Sequence, residues 1–283
     1  MSTFPTLAVT GATGALGGRV ARNLAERDVP QRLLVRTPAK APHLPLCTVH
    51  PFSYSDEDAS RAALAGVDTL FMVSAPESLE RLDQHRSFVD AAASAGVQHI
   101  VYTSFVAAAP DAVFTLARDH HATEEHIKAS GMRWTFLRDS FYIDFMEDLV
   151  GDDGVVRGPA GDGRVAVVTR SDVARAAAAV LTTPAPHVSQ VYDLTGPESL
   201  TLADVAATIA RVRGTDVRFH DETIDEAYRS RAGFDAPGWQ LDAWVSTYTA
   251  IASNDMAAVS TAVETLTGRA PQSLETYLTQ NPR

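Results

Sequence analysis

Over residues 7–18 an apolar run gives way to glycines at Gly11, Gly14 and Gly17, then to an alanine- and arginine-containing stretch reaching about Arg27. Strand, glycine turn and helix in that order leave few folds open. Gly11 permits a tight turn, Gly14 lets a phosphate approach the backbone, and Gly17 lets the helix pack close to the strand. The start of the helix offers unpaired N–H groups and a positive dipole end to a pyrophosphate. In an isolated loop the same glycines would say little. Directly after a strand and opening a helix, they read as a dinucleotide-binding turn.

The remaining pattern alternates as that turn requires. Strands are expected at residues 31–35, 47–50, 69–73, 99–104, 134–138, 164–168 and 191–194. Helices are expected from a cap at Ser55 or Asp56 to Leu64, over 79–95, through His120 to about Ser130, and over 173–181 behind a Ser171-Asp172 cap. Residues 151–163 are rich in glycine and aspartate and read as an exposed loop, and the pattern is mainly helical from Thr201. The alternation predicts an α/β fold: a doubly wound parallel sheet of the Rossmann kind with a smaller, mainly helical C-terminal lobe. The expected division is 1–149 plus 163–193 for an NAD(P)-binding domain, and 150–162 plus 194–283 for a substrate-side lobe.

In such a fold the end of the second strand faces the adenosine ribose. A carboxylate there suits a free 2′-hydroxyl, and an arginine suits a 2′-phosphate. Arg36 stands at that point, Lys40 follows, and no carboxylate lies between Asp28 and Asp56. NADP(H) is therefore expected over NAD(H), with residues 52–56 as a wall for the adenine.

With 283 residues, 45% hydrophobic and 21% charged, the chain can bury a sizeable core. Its net charge of −11 repels a phosphate backbone, so no direct nucleic-acid binding is expected. No apolar run is long enough to span a bilayer, and residues 1–5 lack the basic-then-apolar pattern of a secretory signal. One cysteine, Cys47, cannot form an internal disulfide; it fits a reducing cytoplasm and reads as a small buried residue. His120 with Glu124, and His121 with Glu125, share helix faces at a spacing of four. Without further ligands, a solvated face or one pocket histidine is expected, and no metal. A homodimer is compatible with the sequence.

Four segments together resemble the NmrA-like group of atypical short-chain dehydrogenases, and within it the type 2 NAD(P)H-dependent quinone oxidoreductases. They are Thr10-Gly11-Ala12-Thr13-Gly14 with Leu16-Gly17, Val35-Arg36 with Pro38 and Lys40, Val101-Tyr102-Thr103-Ser104, and Leu137-Arg138-Asp139-Ser140-Phe141-Tyr142. The resemblance spans nearly the whole chain, through Leu194-Thr195-Gly196-Pro197 to Leu266-Thr267-Gly268-Arg269. It implies phosphate contacts at Gly11, Thr13, Gly14, Ala15, Leu16 and Gly17, and a 2′-phosphate site at Arg36 and Lys40. It implies a nicotinamide half lined by Ser74, Ala75, Thr103 and Ser104. Asp139, Ser140, Phe141 and Tyr142 would close over it, with Arg170 nearby. Asp139 stands where asparagine is common in the group, and Phe141 where tryptophan occurs. These departures bear on the substrate more than on the cofactor.

Ordinary short-chain dehydrogenases pair a tyrosine acid with a lysine four residues later, beside a serine. This chain has two lysines, Lys40 and Lys128, preceded at that spacing by Arg36 and Glu124. Ser104 is present without those partners. Two functions remain. One is hydride transfer from NAD(P)H to a quinone or similar small flat acceptor, whose reduced form is a stabilised phenolate-like anion. The other is a non-catalytic NADP(H)-binding redox sensor or regulator of the NmrA type. For an acceptor the expected pocket is Phe105, His120, Phe141, Tyr142 and Trp239, since residues 105 and 141–142 follow strands at the ligand-binding edge. His120, read as titrating near neutral pH, and the hydroxyl-bearing Tyr142 are the catalytic candidates.

Overall fold

A computed structural model describes residues 5–282; residues 1–4 and 283, which the expected division includes, lie outside the described residues. The chain runs β1 (Leu7–Thr10), α1 (Ala15–Ala25), β2 (Gln31–Val35), β3 (Cys47–Pro51), α2 (Glu57–Leu64), β4 (Thr69–Met72) and α3 (Arg81–Ser94). It continues through β5 (His99–Phe105), α4 (Thr115–Ala129), β6 (Arg133–Asp139), β7 (Val155–Gly158), β8 (Arg164–Val165), α5 (Arg170–Thr182) and β9 (Gln190–Leu194). It ends with β10 (Leu200–Thr201), α6 (Leu202–Arg213), β11 (Arg218–Asp221), α7 (Ile224–Arg231), α8 (Gly238–Ala252), α9 (Ala262–Thr267) and α10 (Leu274–Gln280).

Seven strands form one sheet in the order β3-β2-β1-β4-β5-β6-β9, with β4 at its centre and β1 beside it. The pairs from β3 through β5 are parallel. Arg133 N–H to the Gln98 carbonyl and Val106 N–H to the Asp139 carbonyl bracket β5 and β6 in the same sense. The expected doubly wound sheet is what forms. Its first half runs outward from β1 to β3, and its second half runs the other way from β4, so the order reverses between β1 and β4.

Contacts divide the chain into two units. Among the described residues the first is 5–104, 119–138 and 170–192; the second is 105–118, 139–169 and 193–282. The second unit thus takes in 105–118, 139–149, 163–169 and Asp193, which the sequence pattern places with the Rossmann part. In the first unit, alternate strand residues Ala8, Leu34, Leu70, Met72, Ile100, Tyr102 and Phe136 pack with Ala63 and Leu64 of α2, Phe88 and Val89 of α3, and Ile127 of α4. The strand residues between them, Val9, Leu33, Phe71, Val101 and Leu137, are equally buried and face the other side by the pleat. Helices α1 and α5 pack on each other. Helix α5 starts at Arg170, one residue ahead of the expected Ser171-Asp172 cap, and the Asp172 carboxylate pairs with Arg175 within the helix.

The second unit has its own core, with Phe105, Phe114, Met146, Val156, Val205, Ile209, Ile251 and Leu278 among its buried members. It is mainly helical but carries two small sheets, β10 with β8 and β11 with β7. Here the expected loop at 151–163 is partly wrong, since it contains β7, paired in parallel with β11. Its glycines serve close approach: a Cβ on Gly158 would lie 2.1 Å from the Tyr248 ring, and one on Gly163 2.1 Å from the Ile251 carbonyl oxygen.

Candidate cofactor site

The turn after β1 is built as its glycines demand. Gly11 sits at φ +64°, a left-handed conformation that favours glycine, and its carbonyl accepts the Gly14 N–H at 2.8 Å. A Cβ on Gly17 would fall 2.3 Å from the Gly11 carbonyl oxygen and 2.6 Å from that of Thr10, so α1 packs on β1 only through a glycine. Helix α1 begins behind Gly14 with no side-chain cap and no acidic residue in its first turn. Helices α2, α6, α7 and α10 all have side-chain caps. The positive end of α1 is therefore left for an anion.

This turn opens into a cavity of about 310 Å³ at the carboxyl ends of β1, β2 and β4, the point where strand order reverses. Of the expected cofactor residues, Gly11, Thr13, Gly14, Ala15, Leu16, Gly17, Arg36 and Ser74 line it. Phe52, Ser53, Tyr54 and Ser55 of the expected 52–56 wall line it, Asp56 does not, and no carboxylate is among the lining residues. Arg36 is exposed and makes no ion pair among the described residues. Lys40 does not line the cavity; it ends the short exposed 3-10 turn Pro38–Lys40. A larger opening, about 760 Å³, lies at the opposite edge, by Leu7, Cys47, Thr48 and Thr69, where strands begin. It has neither the glycine turn nor a charged lining residue. Cys47 borders it half-buried, not fully buried as expected, and burial pushes its thiol pKa up.

The wall made by the β4–α3 loop is held from behind. Thr10 Oγ1 accepts the Val73 N–H at 2.8 Å, and Thr103 Oγ1 accepts the Ser74 N–H at 3.0 Å. Ala75 is buried and does not line the cavity. Ser104 is fully buried and donates to Glu124 Oε1 at 2.5 Å; Glu124 also binds Arg138 at both oxygens, 2.8 and 2.6 Å. The Ser104 proton is thus committed to a carboxylate.

His120 is a correction. It is buried, and its Nε2 accepts from Arg81 at 2.8 Å, since a guanidinium only donates. The proton must then sit on Nδ1, 2.9 Å from the Tyr102 hydroxyl. Burial first, and Arg81 second, hold its pKa well below the ordinary histidine value. It does not titrate near neutral pH, and it is no proton donor for a late reduction step. The other members of the imagined metal pairs are likewise engaged elsewhere: Glu124 with Arg138, and Glu125 with Lys128 at 2.7 Å. Among the described residues no group of three or more His, Cys, Asp or Glu could hold a metal ion. No described helix is long and apolar enough to cross a membrane.

In the second unit, Phe105 is buried in the core against Phe114 and Phe141, with ring centroids 5.0 Å from each. It is a packing residue and not an exposed wall. Phe141 is only partly buried. The Tyr142 hydroxyl, expected to be available to an acceptor, donates to Asp139 Oδ2. Ser140 is buried beside them, and Trp239 is half-buried in the first turn of α8. Arg170, in the first unit, opens α5. Sequence reasoning missed Arg81 and His85, the buried polar residues behind the cavity wall, and the expected solvated face at Glu124 is fully buried.

The sequence family described as NAD(P)H-binding matches residues 11–184. An NAD(P)H azoreductase from Xenophilus azovorans is 32% identical over 269 residues, 92% of each chain. Quinone oxidoreductase 2 of Escherichia coli strain K12 is 37% identical over 222 residues, 76% of this chain and 77% of the relative. The E. coli NADPH-dependent quinone oxidoreductase solved with NADPH superposes with a TM-score of 0.88 at 32% identity, covering 97% of this chain and 99% of that one. A Citrobacter triphenylmethane reductase solved with NADP(H) gives 0.84 at 31% identity, covering 95% and 98%.

Proposed function

This chain belongs to the NAD(P)H-binding family, and we propose that it is an NADPH-dependent reductase passing hydride to a small conjugated acceptor such as a quinone, without a Tyr–Lys pair. The observation that carries the reading is the cavity at the strand-order reversal, with its glycine turn, its uncapped helix start and Arg36 in a lining free of carboxylates. In this reading the first N–H groups of α1 bind the pyrophosphate, Arg36 the 2′-phosphate, and the 52–55 wall the adenine. Ser74, Ala75, Thr103 and Ser104 shape the nicotinamide side. NADPH supplies the hydride when bound.

The relatives support the acceptor class. Their names specify azo compounds, quinones and triphenylmethane dyes, all conjugated electron acceptors. A quinone becomes a delocalised anion on taking hydride, so positioning can replace strong acid catalysis. That fits the two lysines: Lys40 is exposed, and Lys128 is spent on Glu125. In the second unit, Phe141, Tyr142 and Trp239 are the residues we propose meet the acceptor, with Asp139 fixing the Tyr142 hydroxyl.

Cofactor choice is tested at Arg36. A charge-assisted contact to the 2′-phosphate contributes roughly 1.5–3 kcal/mol, so Arg36→Ala is expected to weaken NADPH binding about tenfold or more. Its NADH affinity should stay within error of the parent's. Equal losses for both cofactors in a binding titration, or a parent that prefers NADH, would refute the assignment.

A further inference from the structure

Behind the cavity wall lies a chain of hydrogen bonds whose direction is fixed by chemistry. Strand β4 ends at Met72, so the next backbone groups have no ladder partner. The Val73 and Ser74 N–H groups go to Thr10 and Thr103. The Ala75 N–H donates to His85 Nε2 at 2.8 Å, and the Ala75 carbonyl accepts from Arg81 Nε at 3.1 Å. Because His85 Nε2 accepts, its proton is on Nδ1, which donates to Thr123 Oγ1 at 2.9 Å; Thr123 in turn donates to the Asp119 carbonyl at 2.7 Å. His85 is fully buried, and Arg81 is 4% exposed. Burial and the Arg81 charge push the His85 pKa down to about 3, so the accepting form is the one present.

We propose that His85 and Arg81, neither of which lines the cavity, are positioning residues for the cofactor: by holding both backbone polar groups of Ala75 they fix the Ser74–Pro76 segment whose flanking residues wall the site. The assignment rests on the reading of that cavity as the NADPH site. It also defines what the segment can offer a ligand. The Val73 carbonyl is taken by the Tyr54 hydroxyl, and the Ala75 groups are taken from below. The Ser74 carbonyl and hydroxyl are left, without partners among the described residues. An acceptor carbonyl beside a hydroxyl suits a ligand that brings donors, such as ribose hydroxyls or a carboxamide. A loop free to turn these groups away would lose that match, and part of the binding free energy would go into ordering it.

The test uses the full chain and NADPH itself, titrated well below the melting temperature of every variant. His85→Leu keeps bulk and removes the acceptor; it is expected to raise the NADPH Kd about tenfold. His85→Gln restores an acceptor of similar reach and should return the Kd to within about threefold of the parent. His99→Leu is the control. His99 is equally buried and bonds Thr135 at 2.9 Å, remote in the hydrogen-bond scheme from the loop, so its loss should lower the melting temperature and leave the Kd unchanged. If His85→Leu does not fold, Thr123→Val removes the next link with almost no change in shape and should raise the Kd about threefold. An unchanged Kd in His85→Leu (or in Thr123→Val when that variant stands in), or an equal loss in His99→Leu, overturns the proposal. A parent chain that does not bind NADPH at all overturns the underlying cofactor reading, and is distinguished by failing before any substitution is made.

Discussion

Arg138→Met is expected to lower the unfolding free energy by roughly 3–5 kcal/mol, because it strands a buried carboxylate. Glu124 has no exposed surface, and Arg138 binds both of its oxygens. With the guanidinium gone, the Ser104 hydroxyl is the one hydrogen-bond donor left to it among the described residues. The Coulombic gain of such a pair roughly offsets its desolvation, so the pair itself adds little net stability; breaking it on one side is what costs. The double variant Glu124→Leu with Arg138→Met should therefore be more stable than Arg138→Met alone. Denaturant midpoints for the three proteins check this. A loss below about 1 kcal/mol in Arg138→Met would place the pair in the class of solvent-screened surface bridges.

Gly17→Ala is expected to cost roughly 3 kcal/mol and to abolish measurable NADPH binding together with it. The added methyl meets the Gly11 and Thr10 carbonyls at distances no real Cβ contact shows, and backbone cannot swing aside as a flexible side chain can. Helix α1 must then lift from β1, and its uncapped start moves away from the turn at Gly11. Thermal melting and an NADPH titration report the two effects separately. Parent-like behaviour in both would mean that α1 is free to shift without affecting the site.

The residues that were legible in the sequence are those whose job is local. Gly11 and Gly17 announce a turn and a close helix, and the short strand pattern at 31–35 and the nearly apolar run at 69–73 announce parallel strands, since both are fixed by neighbours within a few residues. Arg36 was legible because the end of β2 is a fixed place relative to the turn. Lys40 is its expected companion from its place after Arg36 and from the family resemblance, but the Pro38–Lys40 turn takes it out of the cavity lining. The 151–163 segment was misread because glycine marks both loops and tight contacts, and only the partner ring of Tyr248 tells which. His120 was misread because its titration depends first on its burial and then on Arg81, 39 residues away in sequence, neither of which is a local signal. One signal did lie in the chain: Arg81 and His85 continue the helical spacing of Phe88, Val89 and Ala92, the buried stripe of α3. Polar residues on such a stripe announce a buried network behind whatever the helix supports.

The central claim is that the chain turns over NADPH against a conjugated acceptor. It is tested most directly by mixing the purified protein with NADPH and a simple benzoquinone without oxygen, following the NADPH absorbance and the hydroquinone formed. The account predicts many turnovers per protein molecule, with one hydroquinone for each NADPH lost, and a much lower rate with Arg36→Ala at the same subsaturating NADPH. Tight NADPH binding with no oxidation by a quinone, an azo dye or a triphenylmethane dye would contradict it, and would make the chain a cofactor-binding sensor instead.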